Sequence, residues 1–291
     1  MNDNYAPVEL KDYYCAVLDI LGYSESIKDL FEKIENDNKI GREHDTDHFI
    51  NRILNALDKS GIEKNVETPT PDNIKTWCFS DTIFLIIEKD STPNSLSSLL
   101  SYVGFIIKNF QEEGLYLRGG ISCSKCAVQF DGNYTFIAGN ALIEAHKIES
   151  EVAVNPCVVI DEKILNEEGA NIRHLGFWNN DHFLLDFAQL VFPNPLSEQR
   201  ELKAISILNR VKEEILRPRK NPNVQLKVRL KYEWLLSYYL WFVCRKKIVR
   251  KELLSEFVHL VDPTSKFTHL SDVPPTNCSS IKNAKTNKNE K

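Results

Sequence analysis

The order of strand-like and helix-like segments at the start of the chain constrains the fold more than any other feature. Residues 12–20 (DYYCAVLDI) are rich in β-branched and aromatic residues and contain no breaker, which predicts a strand. Helices are predicted at 24–36 and 46–60, and in the second of them apolar residues recur at helical spacing. Two short strands at 73–79 and 82–88 follow, with almost nothing between them. They indicate a hairpin.

The next segments extend this order. A long helix is predicted at 95–113, ending before Gly114, a residue type common at helix C-termini. Strands are predicted at 115–123 and 126–138, the second interrupted by the turn sequence DGN, and a helix opens at Gly139 and extends to about residue 151. The order of strand, helices, strand, strand, helix and strand predicts an α+β fold with a split βαβ, ferredoxin-like sheet.

The second half of the chain predicts three regions of different character. Further short strands are predicted at 157–160, 173–178 and 182–187. After a proline-containing segment at 193–198 the pattern is only helical, at 198–217, 226–247 and 250–260. Few apolar residues occur from 264 onward, which is typical of disorder. We therefore expect one domain at 1–192, a helical C-terminal region at 193–263 and a disordered tail at 264–291.

Composition and charge exclude several classes of function. The net charge of −5 lacks the basic excess of a general nucleic-acid binder. No charged-then-apolar leader opens the sequence, and the longest apolar run, at 234–244, is about half of the roughly 20 residues that span a bilayer. Seven scattered cysteines suit reduced thiols, and Cys123 and Cys126 on one strand would point to opposite faces, where they cannot share a zinc ion. We expect a cytoplasmic protein with no nucleic-acid or membrane partner.

One carboxylate needs a special explanation. Asp19 stands within the apolar run AVLDILGYS, where a buried acid is unfavourable unless a cation pairs with it. Asp81 is at the tip of the predicted hairpin, and a split βαβ sheet places the first strand beside that hairpin. Two neighbouring carboxylates suit Mg²⁺ or Mn²⁺, and the loop at Gly22 leads into a helix whose N–H groups can receive phosphate. The alternative is that each aspartate only forms a turn or caps a helix.

Four segments, in this order, resemble the catalytic domain of class III nucleotidyl cyclases: LDILGYS, FSDT, LRGGIS and GNALIEAHKIE. The resemblance covers residues 12–190. Within that class the chain looks most similar to the bacterial pyrimidine cyclases of Pycsar anti-phage systems, which make cyclic CMP or cyclic UMP. The helical C-terminal region, with its sequence KYEWLLSYYLWF, fits those proteins as well.

The resemblance implies a metal site and a reaction. Asp19 and Asp81 would bind two Mg²⁺ or Mn²⁺ ions, with the carbonyl of Ile20 as a further ligand. The loop of Gly22, Tyr23 and Ser24 would bind the triphosphate. The ions would activate the ribose 3′-hydroxyl for in-line attack on the α-phosphorus, which releases pyrophosphate.

The chain departs from the family pattern on the helix after the second hairpin. The family places a transition-state Asn and Arg there, where this chain has Ile143 and Lys147. Lys147 keeps the charge but not the planar guanidinium, and Asn140, on the same helical face, is placed to supply the missing amide. The alternative is an ordinary amphipathic helix with a solvated polar face.

Substrate contacts depart from the family as well. Cyclases that use ATP carry a Lys and an Asp where this chain has Trp77 and Phe136, which cannot make the usual polar contacts with adenine. This favours CTP or UTP, unless both residues are simply core aromatics. Arg118 either binds phosphate bidentately or pairs with a carboxylate of the fold.

The family forms its active sites between two protomers, so a homodimer is implied, with the cyclic product read by a separate cyclic-nucleotide-responsive effector. A purine cyclase with unusual base contacts and a degenerate cyclase fold that binds nucleotide without turnover are the rival interpretations. The basic residues between Arg217 and Lys231 suggest a solvated linker, with nucleic-acid contact as the alternative. The aromatic residues after them suggest core or a dimer contact.

Overall fold

A single mixed sheet organises the protein. The computed structural model describes residues 9–40, 47–62, 73–131, 134–192, 200–218, 222–260 and 267–269. The strands are β1 (Leu10–Ile20), β2 (Lys75–Phe79), β3 (Thr82–Glu88), β4 (Leu117–Asp131), β5 (Tyr134–Gly139), β6 (Val158–Ile160), β7 (Gly176–Asn179), β8 (His182–Leu185) and β9 (Phe267–His269). The helices are α1 (Tyr23–Ile40), α2 (Asp47–Lys59), α3 (Ser95–Glu112), α4 (Asn140–Lys147), α5 (Glu162–Ile172), α6 (Ala188–Val191), α7 (Arg200–Leu216) and α8 (Pro222–Arg245).

The strand order confirms the predicted α+β architecture. Strands pair in the order β2-β3-β1-β4-β6-β8-β7-β9, and β5 pairs with β4 as a hairpin. Strand β1 is central and antiparallel to both β3 and β4, while β4 and β6 are parallel. This is the split βαβ arrangement, extended on one side by β6 to β9.

Several predicted elements are wrong in detail. The strands expected at 115–123 and 126–138 are instead β4, which is continuous through residues 124 and 125 because both pair with β1, and β5. Helix α5 was not predicted, and the short helix expected at 250–260 is two turns of 3₁₀ helix, Lys251–Leu254 and Val258–Leu260. The tail is not wholly irregular, since β9 pairs with β7, which would otherwise be the edge strand of the sheet. The rest of the tail, 264–266 and 270–291, lies outside the described residues, as does the segment 193–198.

The two faces of the sheet are covered unequally. Alternate residues of β1, including Tyr14, Ala16 and Leu18, are buried with α3 in a large core. The opposite side, here called the α4 face, carries a smaller cluster in which Cys15 and Val17 pack with Cys126 and two alanines of α4. As predicted, Cys123 packs against the first cluster and Cys126 belongs to the second.

Helix α8 belongs to the large core. Its residues Tyr238 and Tyr239 are fully buried, and the Tyr238 hydroxyl donates to Asp186 Oδ1 at 2.6 Å and accepts from the Ala188 amide at 3.0 Å. Tyr232 meets Tyr116 edge to face with ring centroids 5.1 Å apart. The predicted helical region therefore shares one hydrophobic core with the sheet, and its aromatic residues are core residues.

Local backbone geometry fixes where β4 begins. Gly114 has φ +69°, and the amides of Gly114 and Leu115 bond to the carbonyls of Gln111 and Phe110 at 2.9 Å. This is the left-handed glycine ending predicted for α3. It delivers the chain into β4 beside β1.

Across the described residues, none of the helices is both long and apolar enough to cross a membrane.

Replacing Tyr238 with Phe tests how α8 is held. The variant keeps the ring but removes a hydroxyl that bonds a buried carboxylate and a buried amide, so we expect the free energy of unfolding to fall by about 1–3 kcal/mol. Urea denaturation followed by circular dichroism measures this. Tyr13→Phe, the same change at a half-buried strand position, should cost less than about 0.5 kcal/mol. Equal effects of the two variants would contradict the role given to the Tyr238 hydroxyl.

Candidate active site

Asp19 is held at the end of the central strand by an arginine of the neighbouring strand. In the strand register Asp19 lies directly opposite Arg118 on β4 and Thr82 on β3. The Arg118 Nε donates to Asp19 Oδ2 at 3.0 Å, and both side chains are about one-fifth exposed. Of the two roles that the sequence leaves open for Arg118, the structure shows the carboxylate pair.

Arg118 also bridges to a second, more deeply buried carboxylate. Its Nη2 lies 2.7 Å from Oε1 of Glu149, whose side chain is only 4% exposed. Glu149 lies on a π-helical turn, Ile148–Val152, that continues α4, and its Oε2 is 3.2 Å from His146 Nδ1. Glu149 is not among the residues predicted from the sequence, although it lies within the segment GNALIEAHKIE.

Asp81 approaches the same strand end through the backbone. The amide of Ile20 donates to the carbonyl of Asp81 at 3.0 Å, which fixes the hairpin tip beside Asp19. Burial raises the pKa of Asp19; the hydrogen bond and charge of Arg118 oppose this, and the charges of Glu149 and Asp81 raise it further. The ionised form of Asp19 is therefore less favoured than it is in water, and an additional cation would stabilise it.

The loop after Asp19 has the open backbone expected at a phosphate site. Gly22 has φ +77° and no atom within 4 Å of the position of a Cβ. Leu21 is anchored by its amide to the Tyr116 carbonyl at 2.9 Å, and the Gly22 carbonyl accepts from the Ser26 amide at 3.0 Å in the first turn of α1. Tyr23 is half-buried against Phe49, with ring centroids 6.0 Å apart, and Ser24 is exposed.

The residues present fit a hard divalent cation. Asp19, Asp81 and the Ile20 carbonyl offer only oxygen ligands, which Mg²⁺ and Mn²⁺ prefer. In the described ranges no group of three or more His, Cys, Asp or Glu side chains is arranged around one point. A metal here would thus be held by two carboxylates and completed by backbone, water or substrate oxygens.

Helix α4 carries the other predicted catalytic residues on its outer side. Asn140 and Lys147 are exposed, and Ile143 is 63% exposed. On the inner side α4 contacts β4 so closely that a Cβ on Gly120 would lie 2.3 Å from the Ala145 carbonyl oxygen. The contact fixes the outward direction of the exposed side, as the spacing predicted.

The two predicted base-contact residues are not brought together on one side of the sheet. Trp77 packs against the smaller cluster on the α4 face. Ile137 packs there too, so its neighbour Phe136, half exposed, points to the opposite side by strand alternation. The alternative that both are core aromatics does not hold for Phe136, because half of its surface is exposed.

A lysine of the C-terminal region also lies near this cluster. The predicted solvated linker is wrong for residues 222–231, which form the first turns of α8. Lys231 is half-buried; desolvation lowers its pKa most, the charge of Arg118 lowers it further, and the charges of Asp19 and Glu149 oppose the shift. No local motif marks Lys231, because only the packing of α8 against the sheet brings it here.

Comparisons with known proteins give distant structural similarities. No family model matches the chain, and no curated protein sequence matches it. The adenylyl cyclase CyaB from P. aeruginosa is 14% identical, covers 62% of this chain and 97% of its own, and gives a TM-score of 0.45. The guanylyl cyclase Cya2 is 11% identical, covers 62% of this chain and 92% of its own, and gives a TM-score of 0.40. A bacterial light-regulated adenylyl cyclase is 10% identical, covers 69% of this chain and 98% of its own, and gives a TM-score of 0.41. These similarities are distant, and the assignment of the fold rests on the strand order given above.

Thermal unfolding with and without Mn²⁺ tests the metal site independently of any reaction. A ligand that binds only the folded state stabilises it by about 2.7 kcal/mol at 100 times its dissociation constant. We expect Mn²⁺ to raise the Tm of the wild type and not of Asp19→Asn or Asp81→Asn. Asp90→Asn, at an exposed turn, is the matched control and should respond like the wild type. An unchanged response in both site variants would contradict the assignment.

Proposed function

We propose that this protein is a metal-dependent nucleotide cyclase of class III type that converts CTP or UTP to the 3′,5′-cyclic monophosphate and pyrophosphate. The observation that carries the proposal is the meeting of Asp19 and Asp81 at one end of adjacent strands, fixed by the 3.0 Å bond from Ile20 to Asp81, directly before the open Gly22 loop. The resemblance of four segments in the correct order supports it. The product would act as a second messenger in anti-phage defence, read by a separate effector.

Different residues of the chain would bind the ions, orient the triphosphate and contact the phosphates. Asp19, Asp81 and the Ile20 carbonyl would hold the ions, which supply activation of the 3′-hydroxyl and neutralisation of phosphate charge. The amides of the Gly22 loop, at the start of the 18-residue helix α1, would orient the triphosphate. Arg118, bound through Nε to Asp19 and through Nη2 to Glu149, would donate its remaining N–H groups to the phosphates.

A homodimer would complete the site. Two large apolar side chains, Ile143 on α4 and Phe79 on β2, are 63% and 78% exposed, and a partner protomer would cover them. In the family the metal site comes from one protomer and the α4 residues from the other. Asn140 and Lys147 would then stabilise the transition state formed on the partner's ions.

The preference for a pyrimidine rests on two positions. Trp77 and Phe136 lack the polar groups that read the edge of adenine, and a smaller ring leaves space for an aromatic side chain. Because the two residues point to opposite sides of the sheet, we propose Trp77 as the base contact on the α4 face, with Phe136 reaching the base only from the strand edge. A purine cyclase and a non-catalytic nucleotide sensor are the rival functions, the second favoured by Ile143 in place of the family's Asn.

Product analysis tests the proposal. Purified protein is incubated with Mn²⁺ and ATP, GTP, CTP or UTP separately, and products are resolved by mass spectrometry. We expect one cyclic pyrimidine nucleotide, lost in Asp19→Ala and Asp81→Ala. A cyclic purine product would reject the pyrimidine assignment and keep the reaction, whereas bound but unconverted nucleotide would favour the sensor.

Subunit mixing tests whether the site is shared between protomers. Asp19→Ala and Lys147→Ala should each be inactive as homodimers, since removing one transition-state contact typically lowers kcat by about 10²–10³. When equal amounts of the two variants are dissociated and allowed to reassociate, about half of the dimers are heterodimers, each with one intact site. The activity of the mixture should therefore recover to about a quarter of the wild-type activity. Mixing two inactive stocks of Asp19→Ala alone is the control. No recovery in the first mixture would place both residues in one protomer's site.

A further inference from the structure

A cleft lined by basic residues lies beside the Gly22 loop and is formed partly by the C-terminal helices. It encloses about 80 Å³. The loop side contributes Leu21, Gly22 and Ser26, and the C-terminal side contributes Arg217 and Lys231. The wall between these two sides includes Arg52 of α2 and the segment 114–116 that leads into β4.

The charge of the cleft is predominantly positive. Arg52, Arg217 and Lys231 line it together with one carboxylate, that of Glu214. Glu214 is paired with Arg217, the Oε1–Nη2 distance being 2.6 Å, so their charges largely cancel. The Arg52 Nε donates to the backbone carbonyl of Glu113, which is a neutral group and does not neutralise the guanidinium. Arg52 and Lys231 therefore give the cleft a net positive charge beside the Gly22 loop.

Lys231 is the residue that connects this cleft to the Asp19 cluster. It lines the cleft, and its charge acts on Arg118, Asp19 and Glu149. Within the described part of the chain Lys231 forms no ion pair within 4 Å and no hydrogen bond, although it is half-buried. Desolvation and the charge of Arg118 disfavour the Lys231 ammonium, and the charges of Asp19 and Glu149 offset only part of this cost, so a further anion would stabilise it. Neither a core role nor a surface salt bridge explains this position.

We infer that the cleft binds the terminal phosphates of the nucleoside triphosphate, with Lys231 of α8 as a phosphate-binding residue in the same protomer as Asp19. The inference rests on the proposed function and extends it, since it brings the helical C-terminal region into the substrate site. The leaving pyrophosphate carries the charge that Lys231 and Arg52 would neutralise, while the α-phosphate stays at Asp19. Helix α8 is thus both a core element and one wall of the site.

Binding of inorganic pyrophosphate to the full-length protein in the presence of Mg²⁺ tests the inference without turnover. By isothermal titration calorimetry, Lys231→Gln should weaken binding about 10-fold or more, since hydrogen bonds to charged groups contribute about 1.5–3 kcal/mol. Lys231→Arg should bind within about 3-fold of wild type, because it keeps the charge. Arg229→Gln removes the same charge from the same helix, where Arg229 pairs with Glu233 at 2.6 Å, and should leave binding unchanged.

The role of Lys231 in phosphate binding and the cyclase reaction can be rejected separately. If pyrophosphate binding is weakened in Lys231→Gln and the wild type makes no cyclic product from any nucleotide, the phosphate site is retained and the cyclase reaction is rejected. Cyclase activity with unchanged pyrophosphate binding and unchanged KM in Lys231→Gln would reject the role of Lys231 alone. Higher turnover in Lys231→Gln would also overturn the inference, because Lys231 would then compete with the metal for Asp19. Equal Tm values of the variants establish that folding is not the cause.

Discussion

The half-buried carboxylate of Asp19 is the constraint around which the rest of the site is arranged. An ionised acid at the end of a buried central strand is unfavourable, and Arg118, directly opposite in the strand register, compensates only part of that cost. Glu149 and Asp81 add negative charge nearby rather than removing it. The cluster therefore has an excess of acid, which suits a divalent cation, and perturbed carboxylates of this kind are common at functional sites.

The C-terminal helices have two roles that follow from one packing arrangement. Because Tyr238 and Tyr239 are buried in the same core as β1 and α3, α8 has a fixed position against the sheet. The same helix then carries Lys231 to the end of β1, near Arg118. A region that reads in sequence as an appended helical module is thus part of the main core, and its basic residues divide between the site and the surface.

The sequence predicted the local patterns well and the non-local ones poorly. The apolar run of β1, the hairpin at Asp81 and the glycine ending of α3 all follow from short-range rules, and the structure confirms them. The continuity of β4 could not be read, because its middle residues are polar and only their pairing with β1 keeps them extended. Lys231 and Glu149 were missed for the same reason, since each becomes part of the site through contacts made far away along the chain. The opposite directions of Trp77 and Phe136 depend on strand register, which a motif does not encode.

The most direct test of this account is the position of Mn²⁺ in a crystal of the protein soaked with a non-hydrolysable pyrimidine triphosphate analogue. Anomalous scattering should locate a metal bound at about 2.0–2.2 Å to carboxylate oxygens of both Asp19 and Asp81, with the terminal phosphates beside the Gly22 loop. A bound analogue with no metal on either aspartate, and Arg118 still holding Asp19 alone, would contradict the central claim that this strand end is a metal site for phosphoryl transfer.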